Sequence, residues 1–314
     1  QYHMIVNDWL GRIAWYLRSK DGHAWKVEPG EAYLPGIDVY EDGTKVDWYK
    51  YERLKVLQDE HGRAYQAMFA VIDYSKWEDK ASDIHSSKNI NMPLTVGRLI
   101  KVLNERTSGQ TTKTMRVKIT AEAGFNPHQD MDVASLRFGA SDEVNFGRGC
   151  KVVDSKRDGK DLILTFDGKG NGLTADCFSG KLLGKTSAGE LLFGYSRLPG
   201  VTYGDAMLSA DMPKLKLENG KLTFSVEVKN FGLSDSQAEK VSVLVYSGNQ
   251  EQRFTLELPK LDTYETMTLS ASVPCELDPA LECGAKLTVP SQATPLYDTE
   301  KHRKAPPLKI NTGK

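Results

Sequence analysis

Three side chains near the beginning of the sequence could transfer protons to a substrate. Glu52 lies beside Arg53, whose positive charge can tune the pKa of a neighbouring carboxyl group. His85 follows Asp83 by two residues, and imidazole serves as a general acid or base near neutral pH. Asp8 ends the apolar segment that opens the sequence. Each residue also has a purely structural interpretation: an ion pair for Glu52, a turn cap for Asp8 and a hydrogen-bonded loop for His85.

Aromatic and basic side chains in the same region could hold a sugar. The indole rings of Trp9, Trp15 and Trp48 offer flat apolar faces with a polar N–H at one edge. Arg53 and Lys88 could bind the acidic group of a charged sugar. The structural alternative is that the tryptophans belong to a core, where large aromatic side chains are usually found.

The cysteines do not form a metal-binding pattern. There are four, with no C-x-x-C pair and no histidine at a zinc-like spacing: Cys150, Cys177, Cys275 and Cys283. Cys275 and Cys283 flank a loop and could form a disulfide if the protein is exported. The alternative is four reduced, partly buried thiols.

Two loop-like segments resemble ligand motifs only superficially. Gly168–Leu173 is rich in glycine, but no Lys-Ser/Thr ending and no helix pattern follow it, so it is predicted to be an ordinary loop. The segment 126–132 contains His128, Asp130 and Asp132. Calcium binding is an alternative there, and a turn between strands is the preferred interpretation. No cofactor is predicted.

Composition places the chain among ordinary globular proteins. Its 314 residues are 26% charged and 39% hydrophobic, with a net charge of -1. This balance provides no overall field to attract nucleic acid, and no apolar run approaches the roughly 20 residues of a membrane span. The segment Tyr2–Val6 already has the character of a strand. It predicts that the fold continues in upstream sequence or in another polypeptide.

Short strands bounded by turn residues predict an all-β protein. Helical periodicity is scarce, and most segments have four to eight strand-forming residues between Gly, Asp, Asn or Pro. Asp158-Gly159 and Asn219-Gly220 separate such strands and predict type I′ hairpins, because both central residues need positive φ.

Four segments are predicted along the chain. All five tryptophans lie in residues 1–108, and the polar stretch that follows separates this part from a β-sandwich at 113–202. Alternating strands predict a second sandwich at 207–290, which resembles the immunoglobulin-like adhesion modules of bacterial multidomain enzymes. Residues 291–314 are predicted to form an extended tail.

The first segment resembles a known enzyme class. The order of Tyr51-Glu52-Arg53, Asp59-x-x-Gly62-Arg63, Phe69–Asp73 and His85–Asn89 is similar to bacterial five-bladed β-propeller glycoside hydrolases, nearest to families 43 and 117. The resemblance covers about residues 1–95 and implies the last blades of a propeller.

The resemblance implies hydrolysis of glycosidic bonds by carboxyl groups at a central funnel. Glu52, Asp8 and His85 are the expected catalytic residues. Arg53, Lys88, Trp9 and Trp48 are expected to contact a polysaccharide or oligosaccharide substrate.

The resemblance also implies a partner and a location. An N-terminal fragment or chain would complete the propeller and its catalytic set, in an enzyme that a bacterium exports to its periplasm, surface or surroundings. The alternative function is a non-catalytic carbohydrate-binding or surface-assembly subunit.

Overall fold

The protein is built almost entirely of antiparallel strands. The computed structural model describes residues 1–7, 13–75, 87–106, 109–302 and 307–312. Its content of 54% strand and 2% helix confirms the all-β class. The chain divides into two compact units, Gln1–Thr202 and Tyr203–Lys314.

The first unit begins with two three-stranded sheets and a small hairpin. One sheet has the order β1-β2-β3, the other has the order β6-β7-β8, and β4 pairs with β5 between them in the chain. The strands are β1 (Tyr2–Asn7), β2 (Ala14–Ser19), β3 (Trp25–Tyr33), β4 (Ile37–Val39), β5 (Lys45–Asp47), β6 (Lys50–Gln58), β7 (Ala64–Ile72) and β8 (Lys88–Pro93). Aromatic and branched side chains of the second sheet form a small core around Phe69.

The rest of the first unit is one seven-stranded sheet with the order β15-β14-β11-β12-β13-β10-β9. Its elements are β9 (Ile100–Val102), β10 (Met115–Ile119), β11 (Met131–Gly139), α1 (Ser141–Val144), β12 (Cys150–Asp158), β13 (Asp161–Phe166), β14 (Ser179–Thr186) and β15 (Leu191–Arg197). Because β9 precedes the predicted linker, this sheet contains residues from both sides of it.

The seven-stranded sheet curls until its two outer strands meet. Beside them, the Arg98 backbone N–H donates to the Phe193 carbonyl at 2.7 Å, and the Val102 N–H donates to Ser196 Oγ at 2.8 Å. Glycine permits the curvature, because a Cβ at Gly180 would lie 2.3 Å from the Phe138 ring. The result is a nearly closed barrel-like layer around one core, where the sequence predicted two stacked sheets.

The second unit is a sandwich of two sheets. One contains β16, β17, β18, β21 and β24, and the other has the order β20-β19-β22-β23. The elements are β16 (Leu208–Ala210), β17 (Lys214–Glu218), β18 (Lys221–Asn230), β19 (Glu239–Ser247), β20 (Gln250–Leu258), β21 (Thr266–Pro274), β22 (Cys283–Thr288), β23 (Tyr297–Asp298), a 3-10 turn (Thr299–His302) and β24 (Ile310–Asn311). Alternate residues of β18 and β19 enter the shared core, as the period-two pattern predicted.

The two predicted hairpins form with different central residues. Asn219 and Gly220 have φ of 52° and 70°, which confirms the type I′ prediction. In the other hairpin Asp158 pairs with Asp161, so Gly159 is the first central residue, with φ of 64°. That arrangement meets the type II′ requirement, and the prediction was wrong by one residue. Asp158 stays in its strand, where Lys118 Nζ lies 2.9 Å from the carboxylate.

The end of the chain contributes to the second core. Within residues 291–314, the described part includes β23, the 3-10 turn and β24. β24 pairs in parallel with β17, and Leu308 and Ile310 are buried. In the described residues, the helices are α1 and this 3-10 turn, and neither has the length and hydrophobicity to cross a bilayer.

All four cysteines are free thiols, including Cys275 and Cys283. Cys150 and Cys283 are buried, whereas Cys177 and Cys275 are partly exposed. Burial raises the pKa of Cys150 to about 12, so this thiol does not form a thiolate at neutral pH.

We predict that iodoacetamide alkylates the native protein at Cys177 and Cys275 well before Cys150 and Cys283, because only the first two are reachable by solvent. Peptide mass mapping after a short exposure measures this order. The urea-unfolded protein is the control and should be alkylated at all four sites. A Cys275–Cys283 disulfide in the purified protein would contradict the structure.

Candidate functional site

A small open pocket lies where the β4–β5 hairpin meets the β6–β7 pair. Its volume is about 190 Å³, and five residues line it: Pro35, Asp47, Trp48, Tyr49 and Asp73. Two acidic and two aromatic residues are therefore brought to one concave surface. Typical ligand pockets begin near 300 Å³, so this one suits a single small ring.

Strand pairing places these residues together from distant parts of the sequence. Asp47 ends β5, opposite Ile37, and the Trp48 backbone N–H donates to the Gly36 carbonyl at 3.1 Å. In the next sheet, Lys50 is paired with Ile72, the last residue of β7. Tyr49 precedes Lys50 and Asp73 follows Ile72, so this register places Tyr49 beside Asp73.

Trp48 is both a core residue and a wall of the pocket. Its side chain is only 4% exposed and packs in a cluster with Tyr51 and Phe69, whose rings meet edge to face at 5.4 Å. The Trp48 indole Nε1 is buried without a hydrogen-bond partner. Such a donor is costly to leave unpaired.

The surroundings of the pocket are acidic. Asp38 of β4 has a buried Oδ2 atom that also lacks a hydrogen-bond partner. Burial is the largest cause of the raised pKa of Tyr51. Hydrogen bonding to Asp38 and the negative charges of Asp38 and Asp47 raise this pKa further. Tyr51 therefore remains a neutral phenol.

The residues expected from the sequence are only partly gathered here. Trp48 lines the pocket, whereas Glu52, Arg53 and Lys88 are not among the lining residues. The Glu52 carboxylate pairs with the buried Lys50 ammonium at 2.6 Å. Arg53 is exposed with φ of 54° at a bulge in β6, and Lys88 is exposed at the start of β8.

Three expected site residues, Asp8, Trp9 and His85, lie outside the described residues. Sequence reasoning in turn missed Asp47, Tyr49 and Asp73. The acid-aromatic triplet 47–49 was a local signal for two of them. Asp73 had no such signal, because only the pairing of β6 with β7 brings it to the pocket.

A second polar cluster, centred on Arg18, joins the first sheet to the seven-stranded sheet. Arg18 and Glu28 are 4% and 5% exposed, and Arg18 Nε donates to Glu28 Oε1 at 2.7 Å. The other guanidinium nitrogens donate to Ser179 Oγ at 2.6 Å and Ser141 Oγ at 3.0 Å. The Tyr195 ring lies 5.0 Å from the Arg18 Cζ atom.

Neighbouring groups of the Arg18 cluster are kept uncharged or paired. Burial raises the pKa of Tyr16 and of Tyr195, and burial lowers the pKa of Lys181. The Lys181 ammonium donates to Asn145 Oδ1 at 2.6 Å. Since the buried charge of Arg18 is satisfied within the protein, we assign this cluster a structural role, and the Trp48 pocket is the candidate functional site.

The two motif-like loops have structural roles. In Gly168–Leu173, the buried Asn171 side chain donates to the Gly168 carbonyl and accepts from the Leu173 N–H, both at 2.8 Å, which confirms an ordinary loop. At 126–132, Asp130 Oδ2 accepts the Asn126 N–H at 2.6 Å within a turn. No group of three or more metal-ligating side chains is present among the described residues.

Comparison with models of known protein families found no match, and a search of curated proteins found no significant match.

We predict that Arg18→Met lowers the free energy of unfolding by about 3–5 kcal/mol, because it leaves the Glu28 carboxylate buried and unpaired. Replacing both Arg18 and Glu28 with Met should cost less than the single change. Urea unfolding followed by tryptophan fluorescence measures both, since every tryptophan lies in the first unit.

The matched control for this ion pair is Lys26→Ala. Lys26 Nζ pairs with Asp142 at 3.3 Å, and both side chains are substantially exposed. An exposed pair contributes about 0–1 kcal/mol. Equal losses for Arg18→Met and Lys26→Ala would refute the structural role of the buried pair.

Proposed function

We propose that this protein recognises carbohydrate and that the Trp48 pocket binds one sugar ring. The observation that carries the proposal is the combination of two acidic residues, a tryptophan and an exposed tyrosine around one concave surface. Sugar rings have apolar faces and many hydroxyl groups. Aromatic walls with a few polar groups are the usual way to hold a small polar ring.

Each lining group has a role in this proposal. Tyr49, which is 39% exposed, offers a ring face to the apolar side of the sugar. The Asp47 and Asp73 carboxylates accept hydrogen bonds from hydroxyl groups. The pocket's volume of about 190 Å³ favours a single residue, such as the end of a glycan chain.

Glycosidic bond hydrolysis is the second candidate function. Hydrolysis of this kind requires a pair of carboxyl groups. Asp47 and Asp73 line the same pocket, which favours this candidate. The resemblance of residues 1–95 to propeller glycoside hydrolases also supports it. On that hypothesis, Glu52, Asp8 and His85 would belong to the same catalytic surface, and the enzyme would be exported by a bacterium.

A further polypeptide segment is proposed to extend the first sheet, as the blade of a larger propeller would. β1 is an edge strand, and Met4, Ile5 and Val6 are 36–38% exposed along it. Consecutive exposed apolar residues on an edge strand are a surface that proteins normally cover.

We predict that Tyr49→Ala weakens glycan binding by roughly tenfold, which corresponds to about 1.4 kcal/mol of lost stacking. The change should leave the fold intact because the side chain is exposed. A glycan array followed by calorimetry with the best oligosaccharide measures the loss, and release of reducing ends in the same samples reports hydrolysis. Tyr65→Ala is the control, since Tyr65 is 41% exposed at the far end of β7. If the wild-type protein binds no glycan on the array, the proposed carbohydrate recognition is wrong.

We predict that the β1 amides exchange with solvent faster in this chain alone than in a complex or fusion that contains the proposed additional segment. An added strand would supply partners for the free edge of β1. Hydrogen exchange with mass spectrometry measures the difference. The amides of β13, which has strands on both sides, serve as the internal control. Identical exchange of β1 in the two proteins would exclude the added strand.

A further inference from the structure

One long strand of the second unit, β21 (Thr266–Pro274), has a free edge. It pairs antiparallel with β18 along its whole length, in a continuous register without a bulge. Among the described residues of this unit, no strand pairs with the other side of β21, and β16 and β17 lie beyond β18. β21 is therefore an edge strand over all of its nine residues.

The ladder shows which backbone groups of β21 lie along the free edge. Just beyond its two ends, the Cys275 N–H donates to the Gly220 carbonyl at 2.9 Å, and the Asn230 N–H donates to the Glu265 carbonyl at 3.0 Å. Because an antiparallel ladder alternates, the odd-numbered residues of β21 bond to β18, and the even-numbered residues direct their backbone groups outward. The outward N–H groups belong to Thr266, Thr268, Ser270 and Ser272.

β21 lacks the features that normally prevent an edge strand from pairing with another chain. These features are charged side chains, an interior proline, a bulge or a short length. The strand reads TMTLSASVP, with no charged residue and with proline only at its last position. By contrast, β20, the edge strand of the facing sheet, has three exposed charged residues: Glu251, Arg253 and Glu257. The free edge of β21 is therefore open to a further strand.

The absence of charge on β21 favours a second copy of the same strand as its partner. In a two-fold antiparallel pair, a strand meets its own residues in reverse order, so any like charges on it would be brought together. With the axis at Ser270, Thr268 of each copy faces Ser272 of the other. Hydroxyl groups then face hydroxyl groups, and such cross-strand pairs are favourable.

Both faces of the sheet are compatible with this pairing. On the core side, Met267, Ala271 and Val273 are only partly buried, and Met267 of one copy would cover Val273 of the other. On the solvent side, the next charged residues are on β18. Three strand spacings of about 4.8 Å separate β18 of one copy from β18 of the other. This separation exceeds the screening length of about 10 Å at 0.1 M salt.

We propose that two copies of this protein associate through β21, in an antiparallel pair whose two-fold axis passes at Ser270. Thr268, Ser270 and Ser272 exchange backbone N–H···O bonds with their counterparts, and two five-stranded sheets become one continuous sheet. The same surface is used by both copies, so association stops at the dimer. Because the edge of one strand is a small interface, the dimer is reversible, with a dissociation constant on the order of 10 µM.

Sedimentation velocity of the full 314-residue chain, from about 1 to about 300 µM, tests the association. We expect the average mass to rise with concentration from the 34.9 kDa of one chain toward twice that value. Ser270→Lys should weaken dimerisation at least about tenfold, because it places two like charges opposite each other at the axis. Thr255→Lys is the matched control, since it adds the same charge to an exposed residue of β20 and should leave dimerisation unchanged.

A cysteine at the axis tests the register. Residues directly opposite in such a pair have Cα atoms about 5.5 Å apart, which is within the range of a disulfide. Mild oxidation of Ser270→Cys should therefore link the two copies at position 270, and peptide mass mapping without reductant identifies the link. Thr255→Cys is the control and should not form such a link at position 255. Thermal unfolding of each variant checks its fold.

Three outcomes would overturn the proposal. The first is a wild-type protein that keeps the mass of one chain over the whole concentration range, which needs no variant. The second is association that Ser270→Lys leaves as strong as in the wild type. The third is growth into species larger than a dimer, because a two-fold pair of edges is closed. Concentration-dependent dimerisation that Ser270→Lys abolishes and Thr255→Lys preserves would support it.

Discussion

The first unit depends on a buried charge. Arg18 reaches from the first sheet into the surface of the seven-stranded sheet, and Glu28 neutralises it where water is excluded. Serine hydroxyls from α1 and β14 and the side-chain carbonyl of Gln1 accept hydrogen bonds from the other guanidinium nitrogens. Because an unpaired charge there is so costly, the geometry of both sheets is tied to this one ion pair.

A second arginine makes a comparable link at the other three-stranded sheet. Arg63, in the turn before β7, donates to Asp59 Oδ2 at 2.8 Å and to the Gly97 carbonyl at 3.0 Å, and its Nη1 atom reaches Glu122. These contacts hold the β6–β7 hairpin against the edge of the seven-stranded sheet. The Trp48 pocket opens near the far end of that same hairpin, so the Arg63 contacts help to hold the strands beside the pocket in place.

Trp48 belongs both to the core of the second sheet and to the lining of the candidate pocket. The ring is packed into the core of the second sheet, which holds it in one orientation, while its N–H has no protein partner. A binding group that is held rigid loses little conformational freedom when the ligand arrives.

Local sequence patterns were sufficient for the strands and for some turns. The alternation in β18 and the Asn219-Gly220 turn depend on side-chain period and on backbone φ, which neighbouring residues determine. The curl of the seven-stranded sheet was not predictable in this way. It arises where Gly180 meets the Phe138 ring and where β9 meets β15, and these contacts join residues far apart in the sequence.

The candidate site, too, was predictable from the sequence only in part. By itself, the sequence determined the all-β class, the aromatic first region and the candidacy of Trp48, because these follow from composition and local spacing. Only the tertiary structure decided that Asp73 joins Asp47 beside Trp48 and that Glu52 is paired with Lys50. The physical reason is strand register: pairing Lys50 with Ile72 sets the neighbours of both residues side by side, and no local pattern encodes that alignment.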